Sequence, residues 1–153
     1  MGEQPRTPHI ANRRAFHEYV ILAKLECGMA LVGSEVKSLR QGKAQLQEAY
    51  AAVEDGRLIL HNCHIDPYDK AANYGHEPRR DRILLAHRRE IRKLANETQQ
   101  QGLTLIPLAI YFKGGIAKIE LGLARGKKAH DKRDSIRRKE QDRDMRRAMS
   151  RRA

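Results

Sequence analysis

Apolar residues change their spacing several times along this chain, and each change marks an element. "HEYVILAKLECGMALVG", His17 to Gly33, is apolar and rich in β-formers around Tyr19, Val20 and Ile21. It reads as two short strands with a bend near Gly28. "SEVKSLRQG" then places Val36 and Leu39 three apart between Ser34, an N-cap residue, and Gly42, a stop, which predicts a short helix. "AYAAVEDGRLILHNCHI" carries Asp55-Gly56 between two apolar runs, the signature of a tight hairpin.

Further on, Leu84, Ile91, Leu94 and Ala95 fall near one helical face before Gly102, so the spacing predicts a second helix from Leu84 to Gln101. "LTLIPLAIYFK" and "IAKIELGLAR" are joined by Gly114-Gly115 and read as a second hairpin. Ile119, Leu121 and Leu123 alternate with Lys118 and Glu120, giving one buried and one wet face, and Pro107 implies an edge or a bulge. Between the two halves, Asp66 to Arg82 is rich in turn formers and bases and reads as a long surface loop. About six short strands with two helices predict a mainly β fold, a small antiparallel barrel of OB type with flanking short helices.

The ends break this pattern. Residues 1–14 hold two prolines and little hydrophobicity and read as a flexible basic arm, leaving 15–126 for the barrel. From Lys127 to Ala153 there are 12 Lys and Arg against 5 Asp and Glu, so this tail carries +7 of a net +12. A chain of 153 residues, 40% of them hydrophobic, supports one domain with a modest core. Its pI near 10.1 points to an anionic partner, most simply nucleic acid. Two cysteines, no apolar leader and no run of roughly 20 apolar residues lead us to expect a cytoplasmic protein with reduced thiols and no membrane span.

Catalytic signatures are weak. "GLARGKK" has three residues between Gly122 and Gly126 where a phosphate loop needs four, and Lys128 stands where Ser or Thr is required. His61, Cys63, His64 and Cys27 match no common zinc spacing, and buried cysteine acting as a small hydrophobe is the better reading. No nucleophile elbow and no two-metal acidic cluster is present. Neither catalysis, a metal nor a cofactor is expected.

Several blocks in one order, "NRRAFHEY", "GSEVKSLRQGKA", "EPRRDRILLAHRREI", "GLTLIPLAIYFKGGIAKIELGLARGKK" and "HDKR", together resemble the SmpB family, the bacterial SsrA-binding (tmRNA-binding) proteins. The likeness runs from about Asn12 to Arg133. It implies a β-barrel of OB type that binds the tRNA-like domain of tmRNA and carries it to stalled ribosomes for trans-translation. Implied partners are tmRNA, the ribosome through its small-subunit RNA and mRNA channel, and, through tmRNA, elongation factor Tu and aminoacyl-tRNA synthetase. The resemblance also implies that 127–153 is disordered when free and helical on the ribosome. A general RNA-binding barrel of ribosomal or translation-factor type is the alternative, and a metal-dependent RNA-processing enzyme is a more distant one.

Carried over residue by residue, the resemblance assigns tmRNA binding to Asn12, Glu26, Leu85 and Lys118, converging on one barrel face, with His17 near it. Gly126, Lys127, Lys128, His130, Asp131, Lys132 and Arg133 become the ribosome-binding part of the tail. Read from the residues alone, Glu26 is a loop charge or a partner for a nearby Arg, and periodicity favours the core for Leu85. Ile83 departs from the family, which usually has a base there beside Arg82.

Overall fold

Both predicted hairpins form, because their turns hold residues that accept a left-handed backbone. The computed structural model describes residues 8–68, 75–127, 140–141 and 143–147. Asp55 and Gly56 have φ of 51° and 74°, and Gly114 and Gly115 have 59° and 78°. Positive φ at both central residues gives the turn whose twist matches paired strands. The first turn joins β4 (Tyr50–Glu54) to β5 (Arg57–His61), and the second joins β8 (Thr104–Lys113) to β9 (Ile116–Gly126).

The segment read as two strands is one, β2 (Tyr19–Met29). It pairs with β9 from Tyr19↔Gly126 to Gly28↔Lys118, with a bulge between Ile21 and Ala23. The expected bend is therefore displaced to that bulge, and Gly28 lies within the ladder. The helix expected from Leu84 starts later. Arg82–Leu85 is a strand, β7, with buried and exposed residues in strict alternation, and α3 is Arg88–Gln101. The apolar pair Leu84 and Leu85 fits either period, so the helical pattern absorbed two strand residues. Gly102 ends α3 with φ 62°.

The arm is not all loose. His9–Ala11 forms β1 and Arg13–Glu18 forms α1, and β1 pairs with β8. The helix α2 is Gly33–Arg40, and the Val32 N–H donates to Glu35 Oε1 at 2.9 Å. Val32 thus occupies the cap position expected for Ser34, whose hydroxyl bonds His76 Nδ1 instead. A short pair, β3 (Ala44–Gln45) with β6 (His64–Ile65), lies beside it.

The pairings close on themselves. Each strand of the series β8, β4, β5, β7, β2, β9 pairs with the next, and β9 returns to β8. The result is a six-stranded antiparallel barrel. One edge of β8 is taken by β9; the other is shared, with β4 at Leu105 and β1 at Ala109–Tyr111. Pro107, which has no N–H for a ladder, sits where the β8–β9 register shifts, as a bulge. The interior is filled by Leu58, Leu60, Leu84, Leu105, Ile110, Ile119 and Leu121, all nearly inaccessible, and Leu94 of α3 packs on it.

Two charged clusters brace the barrel. Arg82 is fully buried; its Nε donates to Glu35 Oε2 at 2.5 Å, Nη1 to the Cys63 carbonyl and Nη2 to the Pro78 carbonyl. Arg80 binds the other oxygen of Glu35. The pair ties α2 to β7.

Nearer the surface, His61 bonds Asp81 through Nδ1 and Glu54 through Nε2, both at 2.9 Å, with its ring stacked on Tyr50. Burial pushes its pKa down, and the bonds to Asp81 and Glu54 outweigh burial and raise it above 6.5. A raised folded value stabilises the barrel fully below the unfolded pKa, and the contribution fades as pH climbs through the folded one. An NMR titration should therefore show His61 titrating above 6.5, and Asp81→Asn should lower it; a value at or below 6.5 in the intact protein would contradict the bridging geometry.

Candidate nucleic-acid interface

The barrel registers align five residues from distant parts of the sequence. His9 pairs with Tyr111, Tyr111 with Lys118, Lys118 with Gly28 and Gly28 with Leu85. Directly paired residues project to the same side of a sheet, so this is a single outward row across β1, β8, β9, β2 and β7. At about 4.8 Å per strand it is roughly 19 Å wide. Leu85 is 58% exposed, against the core position that periodicity favoured. It reaches outward because Arg82 and Leu84, not Leu85, take the inward positions of β7. Gly28 leaves room for it: a Cβ there would lie 3.3 Å from that of Leu85.

Glu26 is two residues from Gly28 and shares its face. It is on a strand, not a loop, and its partners are not arginines. The Tyr111 hydroxyl donates to Glu26 Oε2, and Lys113 Nζ is 3.6 Å from Oε1. The Tyr111 bond is the main reason the Glu26 carboxyl is held below its usual pKa, with Lys113 and Lys118 adding to it. The same bond pushes the Tyr111 hydroxyl up to about 12. His9 stacks on Tyr111 with ring centres 6.0 Å apart. The face therefore combines an apolar side chain, a flat glycine, a half-buried lysine, stacked rings and an ionised carboxylate.

The convergence covers Glu26, Leu85 and Lys118 but not Asn12 or His17. Asn12 is buried; its amide Nδ2 donates to the Pro107 carbonyl at 2.9 Å and to the Leu46 carbonyl at 3.3 Å, while Oδ1 is without a partner among the described residues. That inward placement follows from its position between β1 and α1, where the chain turns over the barrel wall. His17 lies on α1 next to Tyr19, at the opposite end of β2 from Gly28. Gly126 and Lys127 are at that same end. The Lys127 N–H donates to the Glu18 carbonyl at 2.9 Å and its Nζ to the Phe16 carbonyl at 3.0 Å. Lys128, His130, Asp131, Lys132 and Arg133 lie outside the described residues. About 30 Å of strand separates the root of the tail from the row.

Arg82, beside the departure at Ile83, faces inward to Glu35, whereas Ile83 is 41% exposed on the side of Leu85. Cys27 and Cys63 are buried as small hydrophobes, and burial pushes both thiols up to about 11. Sequence reading missed Tyr111. The signal was present, since a two-residue turn at Gly114-Gly115 sets Tyr111 opposite Lys118 by counting outward.

A small closed barrel with a mixed apolar, aromatic and basic strip across its strands belongs to the class of OB-type nucleic-acid-binding modules. The family model of the SmpB protein matches residues 9–151, so the chain belongs to the SmpB family. It is 53% identical over 141 residues to the "SsrA-binding protein" of Pelotomaculum thermopropionicum, covering 92% of each chain. It is 49% identical over 148 residues to that of Desulforudis audaxviator, covering 97% of each. A chain of a solved structure described as "tmRNA-SmpB: a journey to the center of the bacterial ribosome" superposes with a TM-score of 0.70 at 50% identity, over 86% of this chain and 96% of that one.

Proposed function

We infer that this protein binds tmRNA through its tRNA-like domain and brings it to stalled ribosomes for trans-translation, with Glu26, Leu85 and Lys118 on the binding face. The observation that carries the site is the continuous register from Leu85 through Gly28 and Lys118 to Tyr111. Each residue has a distinct task. Lys118 neutralises a phosphate. Leu85 packs against an unstacked base or a ribose. Glu26 repels phosphate and must accept a hydrogen bond from a base edge or a 2′-hydroxyl, the group that distinguishes RNA. Tyr111 and Lys113 keep it ionised and oriented for that.

Asn12 acts from inside, fixing the chain between β1 and α1 through the Pro107 and Leu46 carbonyls. His17, at the tail end of β2, contacts RNA there rather than on the row. Elongation factor Tu and aminoacyl-tRNA synthetase are reached through tmRNA. A site of action on the ribosome makes the protein cytoplasmic, and among the described residues no helix is long and apolar enough to cross a membrane. The protein binds RNA and does not cleave it, so RNA incubated with it and Mg²⁺ should remain intact.

Recovering RNA with the protein from cells tests the reading: one discrete structured RNA is expected, and mixed ribosomal fragments would point to a general RNA-binding barrel. Lys118→Gln should reduce the log–log salt slope of binding by roughly 0.7 to 0.9. Glu26→Gln should weaken binding about tenfold or more, the loss of a charged hydrogen bond of roughly 1.5 to 3 kcal/mol, with the slope unchanged. Gel-shift titrations at several salt concentrations separate the two effects; unaltered binding in both variants would mean that another face holds the RNA.

A further inference from the structure

Helix α3 carries its charge against its own stability. Arg88, Arg89, Arg92 and Lys93 fall within its first six residues, and its last turn has no base. The N-terminal end of a helix is the positive end of its dipole, where cations are unfavourable. Glu90 is the one acid of the first turn. Ile91, Leu94 and Ala95 turn toward the barrel, and the four bases are all exposed, followed on the same side by exposed Asn96 and Gln99. None of the four has an ion pair, hydrogen bond or ring contact among the described residues. Several arginines near the barrel ends are committed, Arg79 to Glu48, Arg80 to Glu35 and Arg40 to Gly115 and the Phe112 ring, whereas α3 gathers four uncommitted bases within six residues. Asp55 borders the same cleft as Arg88 and Arg92, and Glu90 and Glu97 flank Lys93, but none closes to an ion pair, so the stripe keeps an excess of cations that a polyanion would neutralise.

The stripe also continues a surface already described. Arg88 is three residues after Leu85, at most about 10 Å away along the chain. From Arg88 to Lys93 the bases advance about 8 Å along the helix axis. We propose that this face of α3 is a second phosphate-contact surface, taking the sugar–phosphate backbone of the same structured RNA where it passes beyond Leu85. The proposal rests on the reading of the Leu85 row as the RNA face. It divides the labour: the row reads bases and riboses, and α3 supplies sequence-independent attraction that fixes the orientation of the RNA.

The double variant Arg88→Gln, Arg92→Gln, in the full chain, tests this against a transcribed tRNA-like domain of tmRNA across a range of salt. Two lost contacts should lower the log–log slope by about 1.4 to 1.8. Thermal melting should be unchanged or higher, since the substitutions remove cations from the positive end of the helix. A wild-type slope in the double variant, with Lys118→Gln still defective, overturns the proposal and leaves the row standing. Failure of the wild-type protein itself to bind this RNA removes the row and the proposal together. A normal slope combined with weakened co-sedimentation with ribosomes would assign the stripe to ribosomal RNA and overturn the occupant proposed here.

Discussion

Replacing Glu35 with alanine is expected to cost about 3 to 5 kcal/mol of stability, because it leaves the guanidinium of Arg82 charged, fully buried and short of its carboxylate partner. Arg82→Ala should cost a similar amount. It leaves Glu35 with Arg80 and the Val32 N–H but without its fully buried partner, takes the guanidinium donor from the Cys63 carbonyl, and opens a cavity where a completely buried arginine side chain had been. Arg80 is one-third exposed, so Arg80→Ala should be milder. Urea denaturation orders the three variants; equal losses below about 1 kcal/mol would show that the cluster is not a brace.

Acid should have a related effect. Burial pushes the Glu35 carboxyl up, and the hydrogen bonds from Arg80, the Val32 N–H and Arg82 outweigh it, so its pKa lies below 4.5. A lowered folded value gives stability that is present above the unfolded pKa and is lost as pH falls through the folded one. The effect reaches function because Arg82 fixes β7, the strand whose opposite side presents Leu85.

Removal of every residue after Arg133 is expected to leave binding to the tRNA-like domain nearly intact and to abolish peptide tagging on stalled ribosomes. The row lies at the Gly28 end of β2, and the tail leaves from the other end, where Gly126 pairs with Tyr19. The truncation removes eight bases and four acids, so a modest loss of nonspecific attraction is the largest direct effect on the row. The described pieces of the tail, 140–141 and 143–147, are helical and exposed. Asp134 with Arg138 and Asp142 with Arg146 have the i, i+4 spacing that supports a helix by about 0.2 to 0.5 kcal/mol each.

At about 100° per residue, Ile136 and Met145 fall on opposite sides, so there is no apolar stripe to dock on the barrel. Phosphates of an RNA-walled channel would supply what water does not, by neutralising repulsion among the bases. Fully helical, 127–153 would reach about 40 Å. Binding assays and in vitro tagging on ribosomes stalled without a stop codon check the split; parallel loss of both would reduce the tail to a nonspecific RNA anchor.

The sequence exposed what depends on local chemistry. The two hairpins, the stop at Gly102 and the bulge at Pro107 follow from residues whose backbone preferences are narrow. The number of strands predicts the barrel itself but not its pairings, since those of β1 with β8 and of β2 with β7 join segments far apart, and nothing in either segment names its partner. Leu85 shows the limit most clearly. Its neighbour Leu84 is equally apolar, and which of them faces water is decided by Arg82, which is drawn inward by Glu35, 47 residues away in the chain. Glu35 itself gave a local sign by bonding back to Val32, but its tertiary partner lies across the long loop. On the candidate face, the family resemblance supplied Glu26 and Lys118, whereas Tyr111 emerges only when the register is counted.

The seam of the barrel sets how it breathes. Between β4 and β8 the ladder is a single pair, Ala51 with Leu105, because β1 takes the rest of that edge. Transient opening is cheapest where the fewest backbone bonds must break, so the cylinder gapes there first. The row from His9 to Leu85 spans β1, β8, β9, β2 and β7 without crossing the seam. Opening at that seam, like the gap of a split ring, would leave the register of the row intact, because none of the row's four pairings crosses it.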